Sequence, residues 1–219
     1  MATIPKFKNK KLLEQAFTHR SYLNETKEKI SSNERLEFLG DSIISFVVSN
    51  NLFKNHKDFD EGKLTNLRAL LVNTKNLAAV AKDLKLGQKL MLSKGEEEGG
   101  GRENLSLLAD VFEALVGALF LDQGINAVEK FLDSILLPKA SEFIKRDLLK
   151  DPKSLLQENI QAQKKGLLKY EVIEEVGPAH AKTFTVGVFI NNKLLGTGVG
   201  KSKQTAQENA AIQALEKLR

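Results

Sequence analysis

The 219-residue chain contains no cysteine. This removes disulfides, thiolate metal sites and cysteine nucleophiles, and is compatible with a reducing compartment. Histidine is scarce: His19, His56 and His180 are the whole complement. Three scattered histidines do not form the His-Asp clusters of a histidine-metal phosphohydrolase, and no Ser-His-Asp motif is present. Aromatic residues amount to 6%, and most sit in core-like patterns, leaving no stacking platform for single-stranded nucleic acid. The lysine-rich start, Met1 to Lys11, lacks the apolar run of a signal peptide. Gly99-Gly100-Gly101-Arg102 is not a P-loop, because no Gly-Lys-Ser/Thr follows it.

What remains is an ordinary globular composition, 42% hydrophobic and 28% charged, long enough for one large domain or two small ones. The net charge of +5 and pI near 9.2 suit a polyanionic partner. Acids and bases nearly balance in both halves, so contact with nucleic acid must come from the placement of cations.

The most informative stretch is Asn33-Glu34-Arg35-Leu36-Glu37-Phe38-Leu39-Gly40-Asp41-Ser42. Read as a helix at about 100° per residue, Glu34, Glu37 and Asp41 stand within roughly 60° of one another. Leu36, Leu39, Ile43, Phe46 and Val47 fall opposite and are expected to face a core. Three acids on one strip repel one another unless something positive lies among them. A divalent cation held by oxygen ligands would resolve that repulsion; a solvated polar face satisfies the same spacing.

Leu105 to Leu121 is apolar nearly all round, with Asp110 and Glu113 as its charges. It is too short, and too acidic at its middle, for a membrane span, so burial is expected. Buried carboxylates need partners, either a metal or a Lys/Arg salt bridge. Two helices carrying acids at i, i+3 can face each other and hold divalent cations. With carboxylates and no thiols, Mg²⁺ is the favoured ion and Mn²⁺ its substitute, and metal-bound water suits phosphodiester hydrolysis.

Elsewhere in the front half the pattern is helical. Leu12, Leu13, Ala16 and Phe17 lead to His19-Arg20-Ser21-Tyr22, and Ser21 to Ser32 reads as a loop offering Ser31, Ser32 or Asn33 as N-cap. The central helix runs to about Phe53, and Leu64 to Leu84 returns at helical spacing. Lys94 to Asn104 reads as a flexible loop. Asn126 to Arg146 is amphipathic, interrupted at Pro138. Asp151-Pro152 then marks a change of pattern. A helix over about 153–163 precedes alternating strands around Tyr170–Glu175 and Thr183–Ile190, a turn at Asn191-Asn192, a third strand and a closing helix. The expected architecture is an all-α N-terminal domain, residues 1–148, and a small α+β module of order αβββα, residues 149–219. In that module Gln157 and Gln161 lie one turn apart, His180 lies in a strand connection, and Lys201 and Lys203 flank the last helix start. Such a set can touch phosphates and 2′-hydroxyls along an A-form helix.

The run Asn33 to Ser42 resembles the signature of ribonuclease III. The resemblance extends through His19-Arg20-Ser21-Tyr22, Glu61-Gly62-Lys63-Leu64 and Leu108 to Leu115. It continues into a tail similar to the double-stranded-RNA-binding domain at Gln157-Glu158, Gly177 to His180, Gly200 to Lys203 and Ala210-Ala211. One nuclease domain and one RNA-binding domain match the short bacterial type. The resemblance implies a Mg²⁺-dependent endonuclease that cuts double-stranded RNA to 5′-phosphate and 3′-hydroxyl ends with short 3′ overhangs. It implies Glu37, Asp41, Asp110 and Glu113 as metal ligands, with Asp41 and Glu113 catalytic and Glu34 and Glu61 as secondary acids. It further implies a cytoplasmic homodimer processing ribosomal and messenger RNA, with no membrane association. Gln204 departs from the family where a second lysine often follows Lys203, and Gly99 where serine is frequent. Two other readings share the sequence: a non-catalytic RNA-binding protein on the same scaffold, against which the retained acids argue, and a metal phosphohydrolase acting on small phosphoesters.

Overall fold

The computed structural model describes residues 3–27, 29–145, 152–163, 166–178 and 182–218. The chain divides into two compact units, Met1–Asp147 and Leu148–Arg219; the expected boundary at 148/149 lies outside the described residues.

The first unit is helical. In chain order it contains α1 (Lys10–Ala16), α2 (Glu34–Asn55), α3 (Glu61–Val72), α4 (Thr74–Asp83), α5 (Lys94–Glu98), α6 (Leu105–Gln123), α7 (Ile125–Ile135) and α8 (Pro138–Lys145). Helix α6 is the axis. Asn104 caps its start, accepting from the N–H groups of Ser106 and Leu107 at 2.9 and 3.4 Å, and Gly124, at φ +78°, ends it. From Leu108 to Leu119 it buries Leu108, Val111, Phe112, Leu115 and Leu119 with the small residues between them, which explains a segment apolar on every side. Helix α1 packs across α2 and α6 through Ala16, Leu36, Ala114 and Ala118. The run from Leu64 to Leu84 forms two helices, α3 and α4. Asn73 separates them, accepting from the Asn76 N–H at 2.9 Å while donating to the Ala69 and Leu70 carbonyls.

Helices α2 and α6 cross at two glycines. A Cβ on Gly117 would stand 2.2 Å from the Leu36 carbonyl oxygen, and one on Gly40 would stand 1.9 Å from that of Glu113. The helix backbones therefore touch, and residues flanking the crossing are carried into one another's reach.

Three expectations are corrected. Phe46 is 60% exposed and Leu39 only half-buried. The buried face of α2 is instead Leu36, Gly40, Ile43, Ile44, Val47, Val48 and Leu52. It is turned toward the acids because the glycine crossing, rather than the bulkiest side chains, decides which side meets α6. The segment from Lys94 to Asn104 is no flexible loop. It begins with α5, capped by Ser93, and its glycines fold back so that Arg102 donates to the Gly87 and Leu90 carbonyls, both at 2.9 Å, and to Glu97 at 2.6 Å. Asn33 precedes α2 without capping it through its side chain; it is buried, and its N–H donates to the Thr18 carbonyl at 2.8 Å.

The second unit is α9 (Pro152–Ala162), strands β1 (Leu168–Val176), β2 (Thr183–Ile190) and β3 (Lys193–Gly200), and α10 (Lys203–Leu218). The strands form one antiparallel sheet in sequence order. Asn191 and Asn192, at φ 47° and 65°, make the two-residue hairpin turn expected of them. Leu156, Ile160, Val188, Ala210, Ala211 and Ala214 form the core. Alanines on α10 lie against Gly196 and Gly198, which lets the helix rest close upon the sheet.

Gly117→Ala places a methyl group against backbone that cannot swing aside. The expected cost is about 1–3 kcal/mol, or a drop in Tm of roughly 3–10 °C. A variant melting with the wild type in a thermal scan would contradict the contact.

Candidate active site

The crossing brings the two acid-bearing helices together. Glu37 from α2 and Asp110 and Glu113 from α6 each offer a carboxylate oxygen, and these oxygens lie within 4.8 Å of one another. All three residues are half-buried. Asp41, one turn along α2, is exposed and lies outside that trio, yet close enough for its charge to act on Glu37 and Glu113.

The electrostatics follow. Burial, and then the charges of Asp41, Asp110 and Glu37, push the Glu113 carboxyl up to about 8. Glu37 is raised by burial, then by Asp110, Glu34 and Asp41. Asp110 is raised by burial, with the charge of His19 acting in the opposite direction. Among the described residues, no Lys or Arg forms a salt bridge with Glu37, Asp110 or Glu113, so the salt-bridge explanation for acids within α6 is not what the fold provides. Clustered, oxygen-only donors that repel one another fit a hard divalent cation.

The remaining acids divide differently. Glu34 is engaged at the rim: Arg20 donates to its Oε1 at 3.4 Å and the Ser32 hydroxyl to its Oε2 at 2.8 Å. Glu61 opens α3, where its Oε1 accepts from the Thr65 hydroxyl at 3.2 Å. It lines a separate apolar groove of about 660 Å³ with Phe46, Phe53, Phe59 and Leu64. Beside the trio is a smaller polar pocket of about 170 Å³, bounded by His19, Arg20, Asn33, Glu34, Glu37 and Asp110. Sequence reading assigned no role to His19, Arg20, Arg102 or Gly117. For Gly117 a signal existed, since a lone glycine inside an apolar helix usually has a packing reason.

In the second unit, Gln157 is half-buried on α9 and Gln161 is exposed one turn later. Lys201 and Lys203 are exposed at the start of α10, where the Ser202 hydroxyl accepts from the Thr205 N–H at 3.1 Å. The Lys203 ammonium lies 5.7 Å from the centre of the Phe184 ring. Gln204 donates to Glu208 at 3.0 Å along the helix. His180 lies outside the described residues.

A helical domain with a carboxylate cluster, followed by an αβββα module, is the arrangement of an endoribonuclease with an RNA-binding domain. The family described as Ribonuclease-III-like matches residues 9–151, and the double-stranded RNA binding motif matches residues 152–218. Ribonuclease 3 of Geobacillus kaustophilus is 49% identical over 97% of this chain and 87% of its own length. That of Halalkalibacterium halodurans is 49% identical over 95% and 80%. Among solved structures, the nuclease domain of ribonuclease III from Campylobacter jejuni matches with a TM-score of 0.56 and 40% identity, covering 61% of this chain and 90% of that domain. Dicer from Pichia stipitis matches 98% of this chain and 96% of its own, with a TM-score of 0.51 and 27% identity. The chain belongs to the ribonuclease III family and is an endoribonuclease that acts on double-stranded RNA.

The raised Glu113 carboxyl makes the metal-free protein pH-sensitive. Its folded form keeps a proton that the unfolded chain releases near the usual 4.5, so Glu113's own contribution to stability is fully present below that value and is lost as pH rises toward about 8. In EDTA, the wild type should melt at a lower temperature near pH 8 than near pH 5 (about these values bracket the window), and Glu113→Gln should flatten that slope. Parallel slopes for the two proteins would refute it.

Proposed function

We propose that the chain is a Mg²⁺-dependent endonuclease that leaves 5′-phosphate and 3′-hydroxyl ends on double-stranded RNA, acting in ribosomal and messenger RNA processing. The observation carrying this reading is the half-buried trio of Glu37, Asp110 and Glu113 within 4.8 Å, at positions matching the family's metal-holding acids. In this reading the three residues hold the ion together with Asp41, and Asp41 and Glu113 are the catalytic acids. The chemistry such an ion would supply, when bound, is positive charge beside the scissile phosphate and a more acidic water. The chain's own contribution is preorganisation: α2 and α6 hold the acids apart from Lys and Arg partners, and burial keeps competing water from their inner faces. Mn²⁺ is expected to substitute, since it shares the preference for oxygen ligands.

The C-terminal unit, taken as residues 149–219, is the RNA-gripping part. Gln157, Gln161, His180, Lys201 and Lys203 are proposed as its contacts to phosphates and 2′-hydroxyls, reading shape rather than sequence. Glu34 and Glu61 remain secondary acids. A cytoplasmic location belongs to the same reading, compatible with a chain free of cysteine. No described helix is long and apolar enough to cross a membrane.

A homodimer is part of this proposal. Phe38, Phe46 and Phe53 stand along one side of α2 with 79%, 60% and 74% exposure, an aromatic strip that a second copy would cover. The Campylobacter jejuni nuclease domain has a region involved in dimer formation. Phe46→Asp should convert the protein to a monomer in analytical ultracentrifugation; an unchanged sedimentation coefficient would rule out this face.

For the chemistry, Glu113→Gln should bind long double-stranded RNA within about twofold of the wild type while cutting at least 100-fold more slowly, an estimate for losing one ligand of a catalytic metal. EDTA should abolish cutting by the wild type. Wild-type cleavage by Glu113→Gln would overturn the ligand assignment, and binding without Mg²⁺-dependent cleavage by the wild type would favour a non-catalytic scaffold.

A further inference from the structure

His19 and Arg20 line the small polar pocket together with Asp110, and the segment that carries them is built rigidly. It is fastened from both sides. The Met91 N–H donates to the Phe17 carbonyl at 2.8 Å, the His19 N–H to the Met91 carbonyl at 3.1 Å, and the Asn33 N–H to the Thr18 carbonyl at 2.8 Å. Thr18 between them is buried, and its hydroxyl donates to the Glu14 carbonyl at 2.8 Å. The His19 ring is itself held, with Nδ1 at 2.8 Å from the Ser21 hydroxyl and accepting from the Ser21 N–H at 3.3 Å. Met91 in turn follows Leu90, whose carbonyl takes a hydrogen bond from Arg102.

Arg20 itself is differently placed. Its partner is Glu34 at 3.4 Å, and the two side chains are 72% and 53% exposed. An ion pair this open to solvent contributes little and is screened by salt. It aims the guanidinium along the rim without committing it, while Ser32 fixes the other Glu34 oxygen. Arg20 shares this pocket with His19, Asn33 and two leucines as well as with Glu34, Glu37 and Asp110, and its fork of N–H donors is the group there suited to a phosphate, which it can engage with two parallel hydrogen bonds. A second cation is the poorer occupant, because Arg20 and His19 would face it.

We propose that Arg20 is a substrate-positioning residue that leaves Glu34 to take a backbone phosphate of the double-stranded RNA at the entrance to the carboxylate site. Glu34 is then the tether that holds Arg20 ready, which accounts for an acid standing near the trio and outside it. This rests on the nuclease reading above, and its consequences are separable from that reading.

The test uses the full chain, a long double-stranded RNA and Mg²⁺. Arg20→Ala should lower kcat/KM about tenfold, chiefly through KM, for the loss of one charge-assisted contact. The slope of log kcat/KM against log salt should fall by about one, as for one lost phosphate contact. Arg20→Lys should restore the slope, because the charge returns, and recover part of the rate, because the second hydrogen bond of the fork does not. By calorimetry on the RNA-free protein, Mn²⁺ should bind Arg20→Ala and Glu34→Gln no more weakly than the wild type. Wild-type KM and salt slope in Arg20→Ala, no recovery with Lys, or Mn²⁺ binding weakened by Glu34→Gln as much as by Glu37→Gln would each overturn the inference. If the wild type itself fails to cut RNA with Mg²⁺, it is the nuclease reading that fails.

Discussion

Everything at the active site depends on how closely two helices approach. Gly40 and Gly117 let α2 and α6 meet backbone to backbone, with no room for a methyl group on either side. Helices normally pack about 8–10 Å apart, with side chains between them. Here the intervening layer is removed at one point, and Glu37 on one helix and Asp110 and Glu113 on the other are left sharing a space of a few ångströms. The acids do not create the crossing. They oppose it, since the charge of Asp110 raises the Glu37 carboxyl and the charges of Asp110 and Glu37 raise that of Glu113. The apolar surface of α6, buried from Leu108 to Leu119, supplies the attraction that holds the charges together.

That opposition is the functional design. A group of carboxylates that had found arginine or lysine partners would be stable and inert. Without such partners among the described residues, the trio carries a repulsion that a bound cation would relieve, and in the proposed reading metal binding and a completed fold would reinforce each other. The cationic groups nearby are kept at the rim. Arg20 is paired with Glu34, and Arg102 is turned to backbone carbonyls and Glu97, where it orders the glycine-rich segment. In the C-terminal unit the lysines proposed to meet phosphates, Lys201 and Lys203, are exposed at the start of α10, a placement that needs no comparable strain.

Much of this was legible in the sequence. The helical front and αβββα back followed from hydrophobic period, and the Asn191-Asn192 turn from residue type. Two acids inside an apolar segment signal burial, and hence a need for partners, from residue pattern alone. The face of α2 was read less well. Spacing alone put Phe46 inside, because large apolar residues count most in a helical wheel; the glycines that decide the contact weigh nothing there. Likewise three consecutive glycines suggested mobility from Gly99 to Gly101, whereas Arg102, fifteen residues beyond Gly87, closes the segment through contacts no local pattern reveals. The distinction between Glu37 in the trio, Asp41 beside it and Glu34 at the rim required the angle of the crossing, which periodicity does not contain.

The most direct measurement of the central claim is anomalous diffraction from crystals soaked in Mn²⁺. The account predicts a manganese peak coordinated by carboxylate oxygens of Glu37, Asp110 and Glu113. A peak bound instead to Glu34 or Glu61, with none among those three acids, would contradict it.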